Sequence, residues 1–416
     1  MHDASLTRAA EAARRGPPAV LAALLQASRA DTLATFARYE QALPGLRVPL
    51  HPALNPPLWE LGHIGWFQAY WIARNPVLAA GVRADPERPR HAPLRAGADA
   101  LYDSSRVPHD SRWQLALPDA DATRDDLARQ LEQTLALLRQ ADADDDDALY
   151  FFRLALLHED MHHEAALYMA RSLGIAIDDP RWRAPPLPEP GAALALPAQA
   201  WRLGHAAMRG FAFDNELPGA EVALAPFVID AQAVRWAEFL PFVAAGGYGQ
   251  PEWWSAAGAA WRAAQDVRDV HGMHDVQMPR YLRRDGARWQ QWRDGQWTAL
   301  DPREPACHLT RHEAEAWCRW AGRRLPTEAE WECAAGTAGP AFRWGDVWEW
   351  TASPFAPFPG FQPHPYRDYS APWFDGRPVL KGASHCTQPR LRDAKYRNFF
   401  PPGRSDVPAG FRSCAA

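Results

Sequence analysis

The sequence has no apolar run of about 18 residues, the length expected of a membrane-spanning helix, so we expect no membrane anchor. It has no block of basic residues, and its formal net charge of -5 argues against a nucleic-acid-binding surface. It also lacks a Cys-x-x-Cys pair. The five cysteines are an odd number, and Met1 to Arg15 lack the apolar core of a secretory leader. These features predict reduced thiols in a cytoplasmic protein.

Tryptophan and proline, in contrast, are abundant. Most of the 20 tryptophans follow residue 200, and the 39 prolines indicate long, well-fixed loops. Hydrophobic residues make up 47% and charged residues 23% of the chain, a balance typical of globular proteins. At 416 residues the chain exceeds one ordinary hydrophobic core, so we expect two domains.

Apolar residues at helical spacing predict helices in the N-terminal part. The first extends from about Pro17 to Leu43, and the second follows Asn55-Pro56-Pro57 and continues to about Arg74. A polar, proline-rich connection over residues 76–120 precedes a third helix from Thr123 to Gln140. A fourth helix contains the histidine motif described below. Four helices with one long crossover predict a four-helix bundle, whose core commonly holds metal ions.

The predicted bundle covers residues 1–180. Residues 181–200 are rich in Pro and Ala and predict a semi-rigid linker. Residues 201–416 contain short apolar runs broken by Gly, Pro and Trp, with clear helices predicted only from Thr310 to Ala321 and from Thr327 to Ala335. The fold class predicted for the whole chain is therefore α+β, with low regular content in the C-terminal domain.

One stretch concentrates the candidate chemistry, His158-Glu159-Asp160-Met161-His162-His163-Glu164, between two apolar blocks. Residues four apart lie on one helix face, so His158 and His162 direct their imidazoles to one point. The alternative is a pair of surface histidines on an amphipathic helix. His63, within the aromatic second helix, is the natural third ligand, although a lone histidine on an apolar face is more often a hydrogen-bonded core residue. Three imidazoles suit iron(II), zinc or copper.

The same stretch contains a literal His-Glu-x-x-His, the signature of zinc proteases, in which the glutamate is the general base. Such a short pattern also recurs by chance. No downstream ligand with the usual spacing follows it. A zinc hydrolase is therefore a weaker alternative.

Five motifs stand out in the C-terminal half: Phe213-Asp214-Asn215-Glu216, Ala245-Gly246-Gly247-Tyr248, Gly322-Arg323-Arg324-Leu325-Pro326-Thr327-Glu328-Ala329-Glu330-Trp331-Glu332, Trp348-Glu349-Trp350-Thr351 and Gly410-Phe411-Arg412. They resemble the formylglycine-generating-enzyme domain, of C-type-lectin-like fold, as used in the ergothioneine sulfoxide synthase family. The N-terminal bundle resembles the DinB-like domain of that family. The resemblance covers nearly the whole chain.

The resemblance implies a mononuclear non-heme iron(II) held by His63, His158 and His162. It also implies O2-dependent formation of a carbon–chalcogen bond on the imidazole of hercynine, the trimethylated betaine of histidine. The segment Tyr396-Arg397-Asn398-Phe399-Phe400 lines the active site in the family, where Asn398 would bind the hercynine carboxylate and Phe399 would enclose the substrate. A quaternary ammonium is bound by aromatic faces, which this segment contains.

The sequence departs from the family in the thiol pocket. Enzymes that take γ-glutamylcysteine carry an acid at the position of Phe400, whereas Arg404 is retained. Met161 stands where glutamine is frequent, and Phe358 aligns near the active-site tyrosine, for which Tyr366 and Tyr369 are not secure substitutes. We therefore expect a rebuilt pocket for the second substrate.

Two further phrases, residues 55–67 and 406–414, resemble the selenoneine synthase branch, which joins hercynine to a selenosugar. The loop from Arg106 to Arg112 is a candidate for polar contacts with the sugar. A thiol-using ergothioneine synthase is the next hypothesis, and a non-catalytic binding module is a third. Formylglycine generation is disfavoured because Cys386 and Cys414 form no recognisable pair. The sequence leaves open the oligomeric state, a structural calcium ion, and whether His109, His163 or His364 approaches the metal.

Overall fold

The N-terminal part of the chain is helical. The structure is a computed structural model that describes residues 3–207, 209–264 and 277–416. Its first helices are α1 (Asp3–Arg15), α2 (Pro18–Ala42), α3 (Pro57–Trp71), α4 (Ala98–Tyr102), α5 (Ala120–Leu138) and α6 (Asp146–Leu173). Helices α2, α3, α5 and α6 match the four predicted helices. Among the described residues, no helix combines the length and the apolar composition needed to cross a membrane.

Two features of this part differ from the prediction. Helix α1 is not among the predicted helices, because its apolar residues are mostly alanines, which are only weakly hydrophobic. It is held against the C-terminal part by Arg14, whose guanidinium lies 2.8 Å from the carboxylate of Glu216. The connection over residues 76–120 is not one irregular loop, since it contains α4 and short 3₁₀ turns at Leu78–Arg83 and Asp110–Gln114.

The C-terminal part mixes short strands and helices. The strands are β1 (Leu194–Leu196), β2 (Gln199–Leu203), β3 (Ala220–Leu224), β4 (Phe227–Ile229), β5 (Leu282–Asp285), β6 (Arg288–Arg293), β7 (Gln296–Ala299), β8 (Arg323–Arg324), β9 (Trp348–Pro354), β10 (Pro378–Lys381), β11 (Asn398–Phe399), β12 (Ala409–Gly410) and β13 (Cys414–Ala415). The helices are α7 (Trp236–Ala244), α8 (Ala256–Ala263), α9 (Arg311–Trp320) and α10 (Glu328–Thr337). This composition confirms the α+β class.

Helices α9 and α10 begin where the sequence predicts. Thr310 and Thr327 each cap a helix by accepting from the backbone N–H three residues on, and Glu313 and Glu330 complete the reciprocal capping boxes. Helices α7 and α8 were not predicted. Helix α7 contains Pro241, which weakens a helical pattern.

The strands form small sheets with long crossovers. One sheet has the order β1-β4-β13-β8 and another the order β11-β10-β9-β12, while β2-β3 and β5-β6-β7 are antiparallel ribbons. In the second sheet β12 runs parallel to β9, with Ala409 beside Trp348. Strand β11 pairs with β10, with Asn398 beside Leu380. This sheet therefore carries the predicted substrate segment to the edge nearest the bundle.

The hydrophobic core is continuous between the two parts. A single buried cluster contains Trp71 and Phe151 of the bundle together with Trp236, Trp317 and Phe411 of the C-terminal part. Residues 181–200 also contact the C-terminal part. Their strand β1 pairs with β4, and the buried Leu187 donates its N–H to the carbonyl oxygen of Arg303. The predicted linker thus packs as part of the C-terminal half. The division into separate domains stays a prediction.

Candidate functional site

Helices α3 and α6 bring together the three histidines singled out in the sequence. Helix α6 begins at Asp145, whose side chain caps it, and ends at Gly174 in the left-handed conformation. Both faces of its central turns are buried, which explains why apolar blocks flank the histidine motif. Helix α3 starts with Pro57 at its first position and is buried along nearly its whole length.

The ligand nitrogens of His63, His158 and His162 all lie within 4.8 Å of one another. The Nε2 atoms of His158 and His162 are 3.2 Å apart, one helical turn from each other on α6. The ring centroid of His63 is 5.2 Å from that of His158 and 4.9 Å from that of His162. In the described part of the chain, this is the one group of three or more histidine, cysteine or acidic side chains close enough together to hold a metal ion. A structural calcium ion stays a prediction.

Each ring is oriented by a neighbour. The Nδ1 of His162 is 2.5 Å from the carboxylate of Glu60, and the Nδ1 of His63 is 2.7 Å from the carbonyl of Tyr102. Gly62 allows the second contact, because a Cβ there would lie 2.3 Å from the Tyr102 ring. The ring of His158 stacks on Phe67 with centroids 3.5 Å apart. Such supports fix the ring nitrogens that face the shared point.

The electrostatics suit metal ligands. Burial lowers the pKa of His63 to about 3, and burial together with the neighbouring imidazoles holds the pKa of His158 well below its ordinary value. Burial alone would raise the pKa of Glu60, but the adjacent His162 lowers it below its usual range. A neutral imidazole is the form that binds a metal, and a carboxylate behind it increases its basicity. The set of three neutral imidazoles therefore fits a transition-metal ion.

The other polar residues of the motif point to protein partners. Glu159 forms an ion pair with Arg29 at 2.8 Å, which removes it from the position that a protease base would need. Asp160 receives two hydrogen bonds from Arg390, each of 2.8 Å. His163 lies 2.9 Å from the Thr35 hydroxyl, so it does not join the metal set. His109 and His364 are likewise engaged elsewhere, at Leu54 O and the Tyr150 hydroxyl.

His158 and His162 line a cavity of about 280 Å³, here called the histidine cavity. Its walls are mainly aromatic and come from both parts of the chain: His158, Met161, His162, Glu164, Ala165, Tyr168, Trp348, Tyr366, Tyr369, Tyr396, Asn398, Phe399, Phe400, Val407 and Pro408. The predicted substrate residues Asn398, Phe399 and Phe400 are thus in place.

Two other predicted substrate residues are not in the lining. Arg397 is buried and forms an ion pair with Glu328 at 2.7 Å. Arg404 pairs with Asp406 at 2.8 Å, and its guanidinium lies over the Phe400 ring, 4.9 Å from the centroid. Both guanidinium groups are therefore engaged in ion pairs within the protein. The prediction that they bind substrate is not supported by their position.

Three further expectations need correction. Phe358 packs in a separate hydrophobic cluster, whereas Tyr366 and Tyr369 line the histidine cavity. Arg106 is exposed and pairs with Asp103, so it makes no cavity contact. Arg112 lies over the Trp59 ring at 3.8 Å from the centroid. The two tyrosines come from an irregular loop, where no periodic pattern marks an inward-facing side chain.

The fold and this site define a class of protein in which a helical bundle supplies three histidines that could hold a metal ion, and the C-terminal part forms a wall of the adjoining cavity. Residues 200–346 match the family model of the sulfatase-modifying factor enzyme 1-like domain. The formylglycine-generating enzyme of Streptomyces coelicolor is 38% identical over 36% of this chain and 49% of its own length.

The longer similarity is to two hercynine oxygenases. That of Mycolicibacterium thermoresistibile is 32% identical over 88% of this chain and 89% of its own length. That of Mycolicibacterium smegmatis is 32% identical over 87% of this chain and 91% of its own length. The chain therefore belongs to the hercynine oxygenase family, and it is an oxidoreductase. This confirms the predicted family and excludes a non-catalytic binding module.

Proposed function

We propose that the protein is an iron(II)- and O2-dependent enzyme that joins the imidazole carbon of hercynine to the selenium of a selenosugar. The observation that carries the proposal is the cluster of His63, His158 and His162, of which His158 and His162 line an aromatic cavity that has no arginine or lysine in its lining. The three histidines would hold the iron. Bound iron(II) would supply the binding and reduction of O2. Replacing C–H and Se–H by C–Se removes two electrons and two protons, which O2 accepts.

The aromatic walls support hercynine as the first substrate. Its trimethylammonium group cannot donate a hydrogen bond and is stabilised by the faces of aromatic rings. Trp348 and Tyr396, with ring centroids 5.7 Å apart, provide such faces, as do Tyr369 and Phe399. Asn398 accepts the N–H of Phe399 through its side-chain oxygen, which leaves its NH2 group to donate to a carboxylate.

The absence of a free cation in the lining supports a neutral second substrate. Cysteine and γ-glutamylcysteine carry carboxylates and an amino group, which need charged partners when they are taken out of water. Arg397 and Arg404 are already paired with Glu328 and Asp406, and Phe400 replaces the acid that would hold the amino group. A sugar needs hydrogen-bonding hydroxyls and apolar faces instead, and the tyrosines of the cavity offer both.

The test is a parallel turnover assay. The protein is loaded anaerobically with iron(II), and hercynine and O2 are added with either 1-seleno-glucose or γ-glutamylcysteine. Mass spectrometry is expected to show a selenium-containing hercynine conjugate and no sulfur conjugate. A sulfoxide from γ-glutamylcysteine, without a selenium product, would overturn the choice of donor and leave the family unchanged.

A variant sharpens this test. Phe400→Asp restores an acid to the cavity wall and is expected to increase turnover with γ-glutamylcysteine relative to the selenosugar. Phe361→Asp makes the same change outside the lining of the histidine cavity and serves as the control. If both variants change the donor ratio equally, Phe400 does not select the donor.

A further inference from the structure

A second, smaller cavity lies behind the histidine cavity and shares Tyr168 with it. Its volume is about 60 Å³, and Arg171, Arg293, Asp294, His308 and His385 are among its lining residues. The last turns of α6 form one wall, and the loops after β6 and before α9 form others. Because one buried water needs about 10–15 Å³ on this measure, the space suits an anion of about five heavy atoms.

The charges around this cavity do not balance. At its rim Arg183 lies 3.2 Å from the carboxylate of Asp294, and deeper inside Arg293 lies 2.7 Å from that of Glu304. Arg171 has no carboxylate partner in the described part of the chain. Its Nε is enclosed and makes no hydrogen bond, and its guanidinium rests over the Tyr281 ring at 5.3 Å. Arg171 is partly buried, and its enclosed Nε is desolvated without a partner, which is costly; a bound anion would offset that cost.

The remaining groups of the cavity cannot supply the missing negative charge. Burial raises the pKa of the Cys386 thiol, which lines the cavity, well above its usual range, so this thiol is neutral. Burial lowers the pKa of His385 to about 4, and its Nδ1 already lies 2.9 Å from the Asp346 carbonyl. His308 is buried, and its Nδ1 has no hydrogen-bond partner.

The backbone is strained at the same place. His308 and Tyr281 both adopt left-handed conformations, with φ of 63° and 62°, and their rings meet edge to face at 5.0 Å. Bulky residues rarely adopt this conformation, and it persists where the surroundings impose it, often at ligand sites. The left-handed backbone of His308, its unpartnered Nδ1 and the uncompensated guanidinium of Arg171 therefore lie in one cavity.

We propose that this second cavity binds a small tetrahedral oxyanion, of the class of inorganic phosphate or sulfate, with Arg171 as its principal counter-charge. The site is separate from the three-histidine set, and it does not depend on which donor the enzyme uses. Occupancy would neutralise Arg171 and stabilise the wall that Tyr168 shares with the histidine cavity.

Calorimetric titration of the full chain with potassium phosphate, and separately with potassium sulfate, tests the proposal. We expect one anion per chain and a melting temperature that rises with anion concentration beyond the effect of potassium chloride at equal ionic strength. Arg171→Gln is expected to weaken binding at least tenfold, and Arg171→Lys to weaken it less. Arg324→Gln, which alters an arginine paired with Glu330 elsewhere, is the control and should bind as the wild type does.

Two results would overturn the proposal. One is a wild-type protein that gives neither binding heat nor a shift in melting temperature beyond that caused by chloride. The other is phosphate binding by Arg171→Gln with unchanged affinity. The wild-type measurement remains decisive if the Arg171→Gln variant fails to fold, and no part of the test uses turnover.

Discussion

Helix α6 carries three pairs of polar residues four positions apart, and they differ in what they contact. The pair of His158 and His162 directs two ring nitrogens at each other, 3.2 Å apart. The other two pairs, Glu159 with His163 and Asp160 with Glu164, are occupied by protein donors and acceptors. Buried polar groups are normally satisfied by protein partners, so we expect the pair that faces His63 to be the functional one.

Of the two satisfied pairs, Asp160 with Glu164 holds the C-terminal part against the bundle, whereas Glu159 pairs with Arg29 inside the bundle. Glu164 accepts hydrogen bonds from Trp348, Ser384 and Thr387, and Asp160 accepts from Arg390. Trp348 lies on β9, and the other three donors lie between β10 and β11, in the stretch that leads to the segment lining the histidine cavity. The same helix therefore positions both the ligand set and the opposite wall of the cavity.

The largest difference is expected between alanine variants of two adjacent residues, His162 on the ligand face of α6 and His163 on a face satisfied by protein partners. His162→Ala removes one of three ligands, so it should abolish iron binding and turnover while the C-terminal domain remains folded. His163→Ala should keep near-stoichiometric iron, because His163 faces Thr35 and Gln388 instead of the metal set. Metal content by mass spectrometry and circular dichroism of both variants provide the measurement.

Full iron stoichiometry in His162→Ala would show that the ligand assignment is wrong. Loss of iron in a folded His163→Ala would show that the two faces are not independent.

A smaller but substantial loss of stability is expected from breaking the ion pair of Asp160 with Arg390, which connects α6 to the C-terminal part. Asp160 is fully buried, and Asp160→Ala leaves the guanidinium of Arg390 without its bidentate partner. We expect a loss of about 3–5 kcal/mol in the free energy of unfolding, the usual cost of breaking a buried pair. Urea denaturation measures it. Asp375→Ala breaks an exposed pair with Arg377 and should cost about 1 kcal/mol or less.

Equal costs for Asp160→Ala and Asp375→Ala would mean that the Asp160 pair does not hold the two parts together.

The predictable part of the site follows from local geometry. His158 and His162 are predicted to share a face because a helix fixes the direction of residues four apart. His63 is placed only by the packing of α3 on α6, yet its aromatic surroundings already indicate burial. The family resemblance points to Asn398, Phe399 and Phe400, which line the histidine cavity; that they bind substrate stays a prediction.

The remaining site depends on tertiary contacts that have no sequence period. Arg397 looks available in the sequence, but it pairs with Glu328 on α10. Arg404 pairs locally with Asp406, two residues further on. Tyr366 and Tyr369 reach the cavity from an irregular loop. Strand β1 falls within the segment predicted to be a linker. The sequence does not reveal this strand, because its pairing partner β4 lies about thirty residues further on.

Removing the charge of Glu60, which lies beside His162, should have an intermediate effect on metal affinity. Glu60→Gln keeps the shape of the side chain but removes the negative charge next to His162 Nδ1. Loss of a carboxylate behind a ligating imidazole typically weakens metal affinity by about 10–100-fold. Competition with a chromophoric chelator measures this affinity. Glu40→Gln, whose partner is Arg124, is the control, and equal affinities for the two variants would exclude a role for Glu60 in orienting His162.

The smallest effect is expected at Thr35, on the satisfied side of the helix. Thr35→Val preserves volume but removes the hydroxyl 2.9 Å from the buried Nε2 of His163. An unsatisfied buried nitrogen costs about 1–3 kcal/mol, so the free energy of unfolding should fall by that amount while metal affinity is unchanged. Ser111→Ala removes an exposed hydroxyl and should leave both quantities unchanged. A Thr35→Val variant that loses metal without losing stability would contradict the division between the ligand face and the docking faces of α6.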